Sequence, residues 1–228
     1  MIAKLRTIFI GISLGFVVAG CGTSVTLDPP TIPPPNINRI PVTVAVRLPE
    51  NFKDFVHQEN VLGREEWTID LGSSNSVLFT QLLGYMFDEV IMLQPGEDPT
   101  GMTYDALIEP SIDAFEFSVP NQTKTDAFAV WIRYRIKVYD RYGTMVANQP
   151  ISAYGKSLTT TMGGSGALQR AAILAMRDAA ALMIMKFDGQ TLFTALADPS
   201  IQMPAVVDEE ASKQSEAQAT ILGGSSNE

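Results

Sequence analysis

Residues 127–139 read AFAVWIRYRIKVY, and this stretch decides the fold. Phe128, Val130, Ile132, Tyr134, Ile136 and Val138 occupy every second position, while Trp131, Arg133, Arg135, Lys137 and Tyr139 stand between them. Successive side chains point to opposite faces of a strand, so a period of two places the first set on one face of a sheet and the second on the other. One face is core; the opposite face meets water or a partner. Asp140-Arg141-Tyr142-Gly143 follows as a turn, with Gly143 suited to positive φ, and 145–161 can pair back as the next strand.

Upstream, 104–119 has Ala106, Ile108, Ile112 and Ala114 in one parity and Leu107, Phe115 and Phe117 in the other, and reads as a long strand. Pro110 has no amide to donate, which points to a bulge or an edge position there. Shorter strands are expected over 42–48, 67–71 and 90–93, with 52–66 as a polar loop. Ser73, Ser74 and Asn75 offer capping oxygens before VLFTQLLGYMFDEV, where Leu78, Leu82, Leu83, Met86 and Phe87 recur at helical spacing, so a helix is expected over 75–88. A glycine-rich run, 163–166, separates the last strand from an Ala-, Leu- and Met-rich helix over 167–187, with a short segment continuing to 197. The expected domain, 41–197, is α+β: a single antiparallel-rich sheet with two main helices packed on one face, in the order β-(β)-α-β-β-β-β-α.

The 228 residues, 46% of them apolar, can fill the core of one medium domain. At the N-terminus Lys4 and Arg6 precede TIFIGISLGFVVA (7–19), the pattern of an export signal. A permanent membrane span takes about 20 apolar residues, more than are present. The run ends in Val18-Ala19-Gly20-Cys21, which resembles the bacterial lipobox. That resemblance implies removal of 1–20 and acylation of Cys21 as the mature N-terminus; the other reading is an ordinary secretory signal or an uncleaved anchor. Acyl chains contribute about 0.8 kcal/mol per buried methylene, so several together hold firmly. Gly22 and Thr23 follow, in place of the Asp that resembles an inner-membrane retention signal, so the periplasmic leaflet of the outer membrane is the expected location. Residues 21–40 contain Pro29, Pro30, Pro33, Pro34 and Pro35 and are expected to form an extended spacer of up to roughly 60 Å. The polar residues 198–228 are expected to be a flexible tail.

Without Lys4 and Arg6 the mature chain keeps 14 basic against 25 acidic residues, a net charge of −11. Such a balance argues against nucleic acid as a partner. The lone Cys21 excludes an internal disulfide and a Cys-rich zinc site, and the lone His57, expected on a surface loop, excludes a multi-histidine metal site. No G-x-S-x-G or G-x-x-x-x-G-K-[ST] pattern occurs. Glu65, Glu66, Asp113 and Glu116 read as solvated carboxylates. No catalytic residue, metal or cofactor is expected, and the chain is not expected to be an enzyme.

The second helix has more apolar surface than one packing face needs, with Leu174, Met176 and Met183 among the surplus. Either the first helix and the terminal segment cover it, or another subunit does. The row Arg133, Arg135, Lys137 is either an ordinary wet sheet face or a docking face for an acidic partner, with Trp131 and Tyr139 as anchors. These eight residues form the candidate interface.

The element order over Pro41–Phe187, with ALIEPSIDAFEF (106–117), WIRYRIKVYDRYG (131–143) and the Ala-rich helix, resembles the small periplasmic lipoproteins of the YajG type and the PqiC-like auxiliaries of lipid-transport systems. It departs from them in the 52–66 loop and the proline-rich segment. The resemblance implies a non-enzymatic accessory of an envelope assembly or transport system, held by its lipid anchor and working through protein contacts, with an envelope partner or a second copy of itself. The alternative it implies is a module that binds a lipid or another apolar ligand between helices and sheet.

Overall fold

The computed structural model describes residues 22–200 apart from 64, 121, 123, 124, 160–162, 188–190 and 199. In chain order the elements are β1 (Gly22–Thr26), β2 (Ile40–Val46), α1 (Glu50–Lys53), β3 (Val56–Val61), β4 (Glu65–Asp70), α2 (Gly72–Met86) and β5 (Phe87–Met92). They continue with β6 (Ala106–Ser118), β7 (Ala127–Asp140), β8 (Met145–Leu158), α3 (Gly163–Phe187) and α4 (Thr191–Ala197).

β7 lies inside a five-stranded sheet of order β5-β2-β6-β7-β8. β6, β7 and β8 form the antiparallel meander expected from the alternation, turning at Gly143 with φ +81°. The α+β class holds, but the single antiparallel-rich sheet needs correction. β2 runs parallel to both β5 and β6, and a second sheet of order β1-β4-β3 stands apart from the first. Parallel neighbours need a crossover connection, and the one between β2 and β5 carries α2 together with the β3–β4 hairpin. The segment expected as a polar loop over 52–66 is therefore α1, β3 and the start of β4. His57 is half-buried on β3 instead of lying on a surface loop, its ring 5.0 Å from Phe115 and 6.0 Å from Phe117.

Residues 22–40 also differ from the free spacer expected of them. β1 pairs parallel with β4, Gly22 opposite Glu66 and Thr26 opposite Asp70. Leu27 is buried: its amide donates to the Asp70 carbonyl at 3.0 Å, and its carbonyl accepts the Ser74 hydroxyl at 2.5 Å. Ile32 is buried as well, and the Gln169 side chain donates to Asp28 at 2.9 Å, so the proline-rich stretch runs along α3. The small residues of GTSVT leave few apolar cues, and the pairing that orders them lies more than forty residues away in sequence. The leader 1–20, with Val18, Ala19 and Gly20, and Cys21 lie outside the described residues, as does the tail beyond Ser200.

Both long helices pack on the even-numbered face of β7. Tyr134 on that face donates its hydroxyl to Asn75 Oδ1 of α2 at 2.8 Å and lies 5.5 Å from the Phe79 ring. Ser74 and Asn75, expected as helix caps, are instead buried within α2, which begins at Gly72. α3 turns a stripe of Ala167, Ala171, Ala175 and Ala179 inward, all buried. Opposite the stripe on β8 is Gly155, where a Cβ would collide with the Ala171 carbonyl oxygen and the Ala175 amide nitrogen. Helix backbone rests on strand backbone. Rings of Phe87, Phe193 and Phe187 then join β5, α4 and the end of α3, with centroids 4.9 and 5.6 Å apart.

Gly155→Val is expected to lower the unfolding free energy by about 3 kcal/mol or more, since the helix must lift from the sheet to admit it; equilibrium denaturation checks this, and a loss within error of zero contradicts the packing. Tyr134→Phe leaves Asn75 without its side-chain partner and is expected to cost about 1–2 kcal/mol. Burial raises the Tyr134 phenol above its ordinary value of 10.0, so its contribution is whole below pH 10 and declines at higher pH, where the unfolded chain ionises first. Stability profiles of the two proteins should therefore converge as pH rises beyond that point.

Candidate functional site

The odd-numbered face of β7 is the face the helices leave open. β2 pairs with β6 only as far as Ile108, so from Pro110 onward β6 has β7 as its one neighbour, the edge position expected for that proline. The register slips between Ile112 and Ala114, leaving Asp113 as an extra residue on the bulged strand. Its carboxylate accepts from Arg135 Nε at 2.7 Å, lies 2.6 Å from Arg135 Nη2 and is 4.0 Å from Arg133 Nε. Arg135 Nη1 also donates to Asn148 Oδ1 on β8 at 3.3 Å. Asp113 is thus a paired carboxylate, not the solvated one expected.

Beside these cations, Trp131 on β7 faces Tyr154 on β8, with ring centroids 5.2 Å apart and planes inclined at 46°. Each is 43% exposed. With Arg133, Ser152, Glu116 and Ala114 they line an open depression of 340 Å³. Strand residues hold these side chains on a rigid floor, so covering them costs little additional backbone entropy.

The outer edge of β8 is closed to another strand around this site. Pro150 has no amide to donate and its carbonyl accepts from Lys186 Nζ at 3.0 Å. The Tyr154 amide donates to Asp178 Oδ2 at 2.9 Å. Both side chains reach over from α3, capping edge groups that would otherwise template strand addition.

Of the eight candidate interface residues, the structure brings Trp131, Arg133, Arg135 and Lys137 together on this face. Tyr139 is at its far end, packed with Leu107, Tyr104 and Met102 under the 93–105 connection; burial, and then the nearby Glu109 charge, raise its phenol pKa. It is part of a small packed cluster and not a free anchor. Met176 and Met183 are buried in the main core and cannot line an exposed surface, while Leu174 is exposed but belongs to α3, across the sheet. The surplus apolar surface of α3 is largely covered within the chain by the sheet, by α2 and by residues 27–35. Tyr154 and Ser152 are not among the candidates the sequence offers, and Glu116 is read there only as a solvated carboxylate. A count back from the Asp140–Gly143 turn places Ala153 opposite Trp131; the register slip between Val138 and Tyr139 moves Tyr154 there instead.

Among the described residues there is no group of three or more His, Cys, Asp or Glu side chains able to hold a metal, and no helix long and apolar enough to cross a membrane. His57 Nε2 lies 3.1 Å from Glu59 Oε2, a local pair on β3.

No protein-family model matches the chain, and no curated protein matches it. Among solved structures, the fold is similar to that of a Xanthomonas campestris protein of the DUF330 family, at 13% identity over 79% of this chain and 99% of that one, with a TM-score of 0.49. It is also similar to a minor lipoprotein from Acinetobacter baumannii, at 10% identity over 66% and 93% of the two chains and a TM-score of 0.38. A hypothetical protein from Chlamydia trachomatis is similar at 9% identity, over 64% and 96%, with a TM-score of 0.39.

Asp113→Ala removes the carboxylate that Arg135 grips through two nitrogens and is expected to lower stability by about 1–2 kcal/mol. Arg133→Ala, half exposed and at the limit of ion-pair distance, is expected to cost no more than about 0.5 kcal/mol. Urea unfolding of both variants checks the ranking, and equal losses would contradict the assignment of Asp113 chiefly to Arg135.

Proposed function

We propose that this chain is a lipid-anchored protein of the bacterial envelope, acylated at Cys21 on the periplasmic leaflet of the outer membrane. Its domain acts as a non-enzymatic accessory subunit of an envelope assembly or transport system by binding a protein on the outer face of β7 and β8. The observation that carries this reading is the Trp131–Tyr154 pair, two large aromatics left 43% exposed on rigid strands beside Arg133. Tryptophan, tyrosine and arginine dominate binding energy where they occur at interfaces, the two aromatics because they offer large area at little rotamer cost and arginine because its planar fork engages carboxylates. The partner that fits presents an apolar side chain to the depression and a carboxylate to Arg133. The sequence resemblance to YajG-type and PqiC-like lipoproteins supports the same reading.

A second reading, an apolar ligand, draws on a different place. The space between helices and sheet is filled by Phe79, Tyr134, Met176 and Met183, but an open groove of 630 Å³ lies between Thr31–Pro35 and the Arg177, Ala180, Ala181 and Ile184 side of α3. Native mass spectrometry of the protein released from detergent distinguishes the two: a retained lipid favours the groove, and persistently ligand-free protein removes it.

Affinity purification from detergent-solubilised membranes should recover a protein partner or a stable oligomer with the unaltered chain. A Trp131→Ala, Tyr154→Ala double variant is expected to weaken that association by at least about 30-fold, for a loss of about 2 kcal/mol or more, while still unfolding cooperatively with a melting temperature lowered by only a few degrees. A monodisperse monomer without partner at native abundance, or full capture by the double variant, would count against the proposal.

A further inference from the structure

We infer that the pole of the domain formed by Gly22, the β3–β4 turn and the end of β8 is seated on zwitterionic lipid headgroups, so that the domain is held flush against the bilayer. This inference rests on the acylation of Cys21 proposed above and adds an orientation to it.

The first observation is the distance available. Gly22 is the first residue of β1 and is already paired with Glu66. Consecutive α-carbons are about 3.8 Å apart, so an acylated Cys21 is one peptide unit from an ordered sheet. No spacer remains, because the prolines that suggested one come after β1 and lie along α3.

The second observation is what else is found at that pole. β3 pairs with β4 so that Val61 opposes Glu65, next to the Glu66 that opposes Gly22. The turn that follows Val61 therefore lies beside Gly22. At its tip Leu62 is 59% exposed and holds φ +55°, a conformation bulky side chains seldom adopt. Folding gains little from a leucine displayed in this way.

Strands of the larger sheet end at the same pole. Trp67 opposes Thr23 on β1, and a Cβ on Gly164, in the first turn of α3, would sit 3.8 Å from the Trp67 ring and 3.2 Å from Phe128. Phe128 opposes Ser157, and the next pair in the ladder is Ala127 with Leu158. Leu158 is 62% exposed. Two exposed leucines thus lie at this pole, Leu62 beside the Gly22 end of β1 and Leu158 on the outer face of the larger sheet. Side chains of this kind settle into the headgroup and acyl boundary when something else holds the protein there. Among the described residues the same pole exposes Glu65, Glu66 and Asp126 beside Lys156, a mixed charge without the basic cluster that an anionic surface would draw, which fits zwitterionic lipid.

This orientation gives the docking face a height. Trp131 lies four residues along β7 from Ala127, about 13 Å from the pole at some 3.3 Å per residue, whereas the Tyr142 turn at the far end of β7 stands roughly 45 Å away. A partner on the Trp131–Tyr154 depression is then itself close to the membrane.

The acylated protein offers no free thiol, so Leu62→Cys, Leu158→Cys and Tyr142→Cys each provide a single site for an environment-sensitive fluorophore; Tyr142 is 84% exposed and serves as the distant control. The labelled proteins are reconstituted in phosphatidylcholine vesicles and floated on a density gradient before measurement. With nitroxide placed near the headgroup end of the acyl chains, the labels at 62 and 158 should be quenched at least about twofold more than the label at 142. Flotation with equal quenching at all three sites overturns this inference while leaving the anchor intact. Failure to float overturns the anchor and the orientation together, and a blue shift at 62 or 158 without lipid quenching assigns the pole to a protein contact instead.

Discussion

α3 can lie on β8 only because position 155 has no side chain. The contact is backbone to backbone, and it lets an alanine stripe, which has little surface of its own, exclude water from the inner face of the meander. With α3 at that depth, Asp178 and Lys186 reach the outer edge of β8, and the opposite side of the helix offers a bed for residues 27–35. The N-terminal strand is then held next to β4. One missing Cβ thus governs both which edge is closed and where the chain enters the domain.

Closing these surfaces narrows what the molecule can offer a partner. The inner face of the large sheet is filled by α2 and α3, and the β8 edge is capped at Pro150 and Tyr154. One end of the outer face is covered by the 93–105 connection with its cluster around Leu107 and Tyr139. On the outer face of that sheet, the part with Trp131, Arg133 and Tyr154 remains open. Asp113 shapes its charge: by engaging Arg135 it leaves Arg133 as the more exposed cation beside the aromatic pair. A partner proposed for this face would be held through side chains, since the β8 edge beside it is capped by Asp178 and Lys186.

The elements legible in the sequence are those with strong local periodicity. β7, the Gly143 turn, β6 with its interrupted edge at Pro110, and the cores of α2 and α3 all follow from residues within a short window of one another. The second sheet does not, because GTSVT and VHQENV have little hydrophobic contrast and become strands only through pairing with β4. Proline composition was misleading for the same reason: residues 29–35 are extended as their φ restriction requires, yet a neighbouring helix decides whether they project or dock. On α3, counting apolar residues identifies a surplus without showing which of them face inward, and of the two covers it allows, the chain itself or another subunit, Met176 and Met183 have the first. Trp131 and Arg133 were readable as outward-facing, whereas Tyr154 needed the register of β8.

The proposed location and orientation rest on acylation of Cys21, which would place the domain in the envelope and bring β1 against the bilayer. Intact-mass analysis of the protein purified from membranes measures this directly. The account expects a chain that starts at Cys21 and carries the added mass of its acyl groups; residues 1–20 still attached, or an unmodified thiol at that position, would contradict it.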